Sequence, residues 1–274
     1  MLEFVINEAV CTKCALCAAD CPARIIDMAK GYPAIAPENE ASCYRCQHCL
    51  AVCPTGAVSI LGRKPEDSMP LAGGFPEALQ METLIKGRRS VRRYQEENLP
   101  PELLLRLLDV ACHAPSGMNF RQVHFTLVED RSKLSQLRDE MMAGLSRKLR
   151  EGSFPAGLEF LADFIPQWEE ERIDFLFRGA PHLLVASAPR SIVTPEQDCL
   201  IALSYFDLFA QTLGVGTVWD GLAKCVIDDV LPEFRSRLGI PEDHVIGYAM
   251  AFGRPAVQYA RSTQQGPPLV HRVA

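Results

Sequence analysis

The stretch Cys11-Thr12-Lys13-Cys14-Ala15-Leu16-Cys17-Ala18-Ala19-Asp20-Cys21-Pro22 is written a second time as Cys43-Tyr44-Arg45-Cys46-Gln47-His48-Cys49-Leu50-Ala51-Val52-Cys53-Pro54. Both copies follow the pattern C-x-x-C-x-x-C-x-x-x-C-P. Eight of the chain's 11 cysteines fall in this one region. A tetrahedral zinc ion takes two separated pairs of thiols, not a run of three followed by a fourth. Disulfides need an oxidising compartment. The opening Met1-Leu2-Glu3 has neither the basic start nor the apolar run of a secretory signal, so cytoplasmic residence is expected.

This spacing resembles that of bacterial two-cluster ferredoxins, in which the fourth cysteine of each run serves the other cluster. The resemblance implies two [4Fe-4S] clusters. Cys11, Cys14, Cys17 and Cys53 would hold one, and Cys43, Cys46, Cys49 and Cys21 the other. The proline after each fourth cysteine turns the chain away to make that exchange. His48, inside the second run, reads as a surface residue near a cluster, because the thiols already complete both sets.

Working outward, residues 1–62 read as the ferredoxin-like module. Each Cys run is followed by a short apolar stretch (Ile25-Ile26, then Ala57 to Leu61). A module this small has little hydrophobic core, so its clusters must act as staples. Residues 63–80, rich in Pro, Gly and charge, read as a linker. Residues 81–274 change character. Leu103, Leu104, Leu107, Leu108 and Ala111 recur at helical spacing behind Pro100-Pro101. His124–Glu129 reads as a strand, and Ser132 as the cap of a helix running through Arg150. Glu151–Glu171, broken by Pro155 and Pro166, reads as a mobile excursion. His182–Ala188 reads as a buried strand, Asp198–Leu213 as a nearly all-apolar helix ended by Gly214, and Val215–Trp219 and Val245–Phe252 as further strands. Alternating strands and helices give an α+β or α/β sandwich. A helix as apolar as Cys199–Phe209 should be covered on nearly every side, which points to a subunit interface.

With 274 residues, 48% hydrophobic and 23% charged, the chain has room for one ordinary domain and a small one. The net charge of −6 argues against a nucleic-acid partner. No apolar run is long enough to span a bilayer, so no membrane insertion is expected.

Three further stretches carry chemistry. Arg88-Arg89-Ser90-Val91-Arg92-Arg93-Tyr94 places four arginines in six positions, a candidate anion site, since guanidinium binds phosphate in a bidentate way; a solvated basic turn is the plain alternative. Ala114-Pro115-Ser116-Gly117-Met118-Asn119 follows a helix and suits either an ordinary turn or the approach of backbone amides to a planar ligand. Gly214 to Gly221 is punctuated by glycine without dinucleotide-binding spacing. Cys112, Cys199 and Cys225 read as core thiols. Tyr94 and Trp219 read as core aromatics, and His124 as a core or rim residue.

In this order, and with Phe252-Gly253-Arg254-Pro255 and Arg261 following, these stretches resemble the nitroreductase family from about Leu84 to about Pro268. The whole chain is similar to the subgroup carrying an N-terminal two-cluster ferredoxin module. The resemblance implies a nitroreductase-like α+β sandwich, a mixed central sheet flanked by helices, that forms a homodimer with FMN at the subunit interface. Carried over by position, Arg88 and Ser90 would contact the FMN phosphate and ribityl chain, with Arg89 contributing mainly backbone. Arg92 would sit near the pyrimidine edge, favouring the reduced anion. Pro115, Ser116, Gly117, Met118 and Asn119 would line the ring from the partner subunit. Asp220 and Gly221 match the loop facing the flavin N5, and Arg261 a C-terminal phosphate ligand. The chain departs from its relatives at Phe120-Arg121-Gln122-Val123 and at Arg254.

The expected activity is an iron–sulfur flavoprotein oxidoreductase. A ferredoxin-type or NAD(P)H donor would feed the clusters, then FMN, then a small organic acceptor such as a nitroaromatic or quinone. No catalytic acid or base is required. A non-catalytic electron carrier or redox sensor is the rival, and a flavin-fragmenting or dehalogenating enzyme a third reading.

Overall fold

The computed structural model describes residues 1–273. Two compact units emerge: one from Met1–Pro76 together with Met118–Phe120, the other from the remaining described residues beyond Pro76.

In the first unit, β1 (Val5–Ile6) pairs antiparallel with β4 (Val58–Ser59), joining the two ends of the module. Between them lie α1 (Leu16–Ala19), the hairpin of β2 (Ile26–Asp27) with β3 (Ala34–Ile35), and α2 (His48–Ala51). The buried cluster is small, and Leu2, Ile25, Ile26, Leu50, Val58 and Ile60 share it with the thiols of Cys17 and Cys49. The internal repeat extends to the backbone. Lys13 and Arg45 have φ of 59° and 53°, and Ala15 and Gln47 have 59° and 60°, all left-handed without being glycine. Such residues cost free energy and persist only where the surrounding structure holds them. Left-handed residues at matching places in two Cys runs are the kind of backbone that can form concavities for anions and iron–sulfur centres.

The second unit opens with α3 (Ala78–Gly87), whose start is fixed by a reciprocal capping box between Glu77 and Gln80. The helix therefore begins inside the stretch read as linker to residue 80. α4 (Pro101–Ala111) buries Leu104, Leu107 and Ala111, the face its spacing marked. β5 (His124–Val128) leads into α5 (Arg131–Glu151). The cap of α5 is Asp130, whose carboxylate accepts from the Lys133 amide at 2.9 Å, not Ser132.

The segment read as a mobile excursion is packed structure. It forms a 3₁₀ turn over Glu159–Phe164 and α6 (Ile165–Glu171), and buries Leu161, Ile165 and Trp168. Pro166 sits in the first turn of α6, where its missing N–H costs nothing. The chain continues through β6 (His182–Pro189), α7 (Pro195–Thr212), β7 (Gly216–Trp219), α8 (Gly221–Cys225) with a π-helical turn over Val226–Val230, α9 (Glu233–Arg237) and β8 (His244–Gly253).

The sheet order is β5-β6-β8-β7, every pair antiparallel; among the described residues its parallel element is the single bridge Ser90–Thr217. Alternation along β6 divides the core in two. Leu183 and Val185 face α5, α6 and α8, whereas Leu184, Ala186 and Ala188 face α4 and α7. Each fully buried leucine contributes about 1.5–3 kcal/mol by leaving water. The result is an α+β sandwich covered on both faces. Among the described residues, no helix is long and apolar enough to cross a membrane.

α7 lies unusually close to β8. A Cβ built at Gly247 would overlap Cys199 Cβ and stand 3.0 Å from its Sγ. Gly247→Ala is expected to destabilise the second unit by about 1–3 kcal/mol through overpacking, read as a lower urea midpoint. Adding Cys199→Ala should not rescue it, since the Cβ remains. An unchanged midpoint would show that the helix can shift outward freely.

Candidate functional site

In the first unit the eight thiols gather into two crossed sets. Cys11, Cys14, Cys17 and Cys53 line one small cavity. The charges felt by Cys49 come from Cys46, Cys43 and Cys21, and those felt by Cys17 from Cys53 and Cys14. Burial, opposed by a local backbone amide and reinforced by these neighbours, pushes the Cys49 thiol up to about 12. Burial also acts on Cys53, but amides of Ala57 and Thr55 outweigh it and its thiol is lowered; Ala57 N–H reaches the sulfur at 3.2 Å. In the other run, Cys43 Sγ accepts from Arg45 N–H at 3.4 Å. Among the described residues no three His, Cys, Asp or Glu converge as a site for a single metal ion. Each set draws thiols from both runs, and the first rings a cavity, an arrangement that suits a multi-atom centre. His48 is largely exposed and meets Asp20 at 3.0 Å.

In the second unit the arginine run is pinned to β7. Val91 N–H donates to the Thr217 carbonyl at 2.8 Å, and a Cβ at Gly216 would come within 2.5 Å of Val91 Cγ2. Arg88 Nε lies 3.6 Å from the buried carboxylate of Asp207. Arg88 Nη1 and Arg89 Nε are buried without a hydrogen-bond partner among the described residues. The rest of the Arg89 guanidinium donates to Thr263 Oγ1 at 2.6 Å and the Lys86 carbonyl at 2.9 Å. Arg92 is exposed and folds back to the Ser90 carbonyl at 3.4 Å. Arg261 is exposed and lines an open groove with Lys86, Gly87 and Tyr259.

The other expected ligand-lining loop is held elsewhere on α7. Gly117 N–H donates to Asp198 Oδ1 at 3.0 Å, as does Thr194 at 2.9 Å, and a Cβ at Gly117 would strike Thr194 Oγ1. Ser116 Oγ accepts from Arg121 N–H at 2.9 Å, and Pro115 is exposed. Met118 and Asn119, both with positive φ, group with the first unit, where Asn119 Nδ2 donates to the Tyr44 carbonyl at 2.9 Å. Asp198 and Asp207 are nine residues apart, so their two attachments are roughly 13 Å apart along the helix axis. Within one chain, the arginine run and the Pro115–Gly117 loop are therefore not brought together.

Asp220 ends β7 and caps α8 through Ala223 N–H at 2.9 Å. Burial raises its carboxyl to about 7, against the Ala223 amide, and its Oδ2 has no partner among the described residues. Gly221 stands directly beneath Tyr248, whose hydroxyl lies 2.8 Å from where a Cβ would be.

Sequence reasoning missed Asp198 and Asp207; both sat inside an apparently apolar helix, and two aspartates facing a core were the available signal. Cys199 is buried, Cys225 half-buried and Cys112 exposed, the last correcting its reading as a core thiol. His124 is also exposed. Arg254 has a structural role, donating to the Leu213 carbonyl at 2.9 Å where α7 ends.

Known proteins share this architecture. A nitroreductase family model matches residues 85–254, and a 4Fe-4S dicluster domain model matches residues 10–58. An iodotyrosine deiodinase of Thermotoga neapolitana is 32% identical over 140 residues, covering 49% of this chain and 70% of that protein. Nitroreductase NfnB of Mycolicibacterium smegmatis is 28% identical over 211 residues, covering 68% of this chain and 87% of that one. The crystal structure of a nitroreductase with bound FMN from Desulfitobacterium hafniense aligns with a TM-score of 0.55 at 25% identity, covering 70% of this chain and 98% of that one. The family match takes in more than half of the residues, including the arginine run, the whole sheet and α7: the chain belongs to the nitroreductase family and carries a 4Fe-4S dicluster domain ahead of its nitroreductase domain.

Proposed function

We propose that this protein is an FMN-dependent oxidoreductase of the cytoplasm. It takes electrons from a low-potential donor, reduced ferredoxin or NAD(P)H, through two [4Fe-4S] clusters. Through FMN it delivers them to a small organic acceptor such as a nitroaromatic or quinone. The observation that carries the flavin reading is the pair of orphaned donors, Arg88 Nη1 and Arg89 Nε. A buried polar nitrogen without a partner is costly, and an anion that guanidinium recognises is the phosphate of FMN. The crossed thiol sets and their left-handed linkers fit two clusters in the same sense.

When bound, FMN supplies exchange between one- and two-electron chemistry, and the clusters supply one-electron carriage. The protein's own part is binding and charge. Cys11, Cys14, Cys17 and Cys53 would hold one cluster and Cys43, Cys46, Cys49 and Cys21 the other. Arg88 and Arg261 would hold the phosphate and Ser90 the ribityl chain; Arg89, expected to contribute mainly backbone, would add its buried Nε. Arg92 would place positive charge where reduction adds negative charge, with Asp220 and Gly221 closing the same site. No residue is assigned as a catalytic acid or base, since solvent can protonate the product.

A homodimer completes the proposal. The separation of the two attachments along α7 calls for a second copy to bring Pro115–Gly117 to the arginine run. Between those attachments α7 presents Leu200, Ile201 and Tyr205, which are 37%, 37% and 41% exposed in one chain. Such a stripe suits an interface that resembles a core cut in half. Sedimentation should find the flavin-loaded protein as a dimer at micromolar concentration. A flavin-loaded monomer would sink this part of the reading.

Arg88→Ala is expected to weaken FMN binding by about 1.5–3 kcal/mol, the scale of a charge-assisted hydrogen bond, with iron content unchanged. Retention of FMN through dialysis at the parental level would show the arginine run to be a solvated turn. Cys46→Ala should leave the nitroreductase domain folded and flavin-loaded while its iron content falls. Flavin reduction by reduced ferredoxin should then slow by orders of magnitude, whereas photoreduction proceeds as before. A parental rate with ferredoxin would make the clusters staples or sensors instead of a relay.

A further inference from the structure

We propose that Asp207 is a positioning residue for the flavin phosphate: it holds the Nε side of Arg88 and so presents the Nη1 edge of that guanidinium to the anion. The inference rests on the reading of Arg88 as a phosphate ligand given above.

Asp207 lies on the inner face of α7 and is 4% exposed. A buried carboxylate is expensive unless it is hydrogen-bonded and paired with a cation. Strand alternation supplies the hydrogen bonds. Thr217 and Trp219 stand two residues apart on β7 and so share the face turned to α7. Thr217 Oγ1 donates to Asp207 Oδ1, and Trp219 Nε1 donates to Oδ2 at 3.0 Å. These neutral donors fix the plane of the carboxylate but bring no charge. The cation facing it is Arg88, with Nε 3.6 Å from Oδ2.

That distance marks an ion pair, longer than a hydrogen bond. The guanidinium is oriented by the carboxylate without its donors being used up, and Nη1 stays buried and unpartnered. Thr217 acts on the arginine run twice, since its carbonyl also accepts the Val91 N–H. Backbone and side chain of the run are thus referenced to one residue of β7. Arginine carries substantial rotamer freedom. Fixing it before the ligand arrives removes that ordering cost from binding. A simple scaffold residue would affect the whole unit; a positioning residue acts only where the phosphate does.

Comparison of FMN with riboflavin, which lacks the phosphate, separates these roles. The measurement is flavin fluorescence quenching on cluster-loaded protein stripped of flavin. Asp207→Asn should lower the preference for FMN over riboflavin by about tenfold, the scale of one charge-assisted hydrogen bond, and leave riboflavin affinity unchanged. Arg88→Ala should do at least as much, and the double variant should be no worse than Arg88→Ala alone. Equal loss for both flavins, an unchanged or increased preference, or additive losses in the double variant would each overturn the inference. If Arg88→Ala leaves the preference intact, the phosphate reading of Arg88 has failed and the inference falls with it. Should Asp207→Asn not fold, Thr217→Val decides. It should reduce the preference in the same sense, and no change would overturn the proposal.

Discussion

The close approach of α7 to β8 is the constraint on which the second unit depends. It exists because Gly247 offers no side chain where Cys199 crosses the strand. Drawn in this far, the helix must turn part of its surface fully into the core, and two of the residues it turns inward are Asp198 and Asp207. Neither carboxylate tolerates a dry site unaided. Asp198 is met by the amide that ends the Pro115–Gly117 turn and by Thr194, and Asp207 by β7 and the arginine run. A packing requirement in the middle of the helix thus becomes a placement rule for two loops outside it.

What could be read from the sequence follows the range of the forces involved. The cysteine spacing is decisive because ligand geometry is set within a few residues of chain. The α4 face and the buried β6 strand were equally plain, since one periodicity governs each. The cap of α5 lies two residues before Ser132, because Asp130 and Ser132 are both residue types that suit an N-terminus and only the direction of the carboxylate decides between them. Glu151–Glu171 reads as broken at its prolines, whereas Pro166 sits in the first turn of α6, the helix that buries Ile165 and Trp168. Thr194 apart, the partners of Asp198 and Asp207 are more distant in sequence, through contacts that no local pattern encodes.

The departures from the family pattern also separate by cause. Arg254 compensates the carbonyl end of α7, a structural task that could be met in other ways. Arg121 donates to the Cys112 carbonyl at 2.9 Å while its own amide is held by Ser116, so its place is defined by the turn beside the proposed ring-lining loop. The first bears on how the scaffold closes, and the second on what the neighbouring site admits.

The crossing of thiols in the first unit has a consequence for biogenesis. Cys53 completes the set begun at Cys11, and Cys21 completes the set begun at Cys43. Neither set is whole until the chain has been synthesised through both runs, and β1 cannot find β4 before residue 58 has emerged. A nascent chain holding only the first run offers three matched thiols and one that belongs elsewhere. On the two-cluster reading proposed above, neither cluster could be completed before the second run has been made, and a chain halted between the runs would present only a partial thiol set.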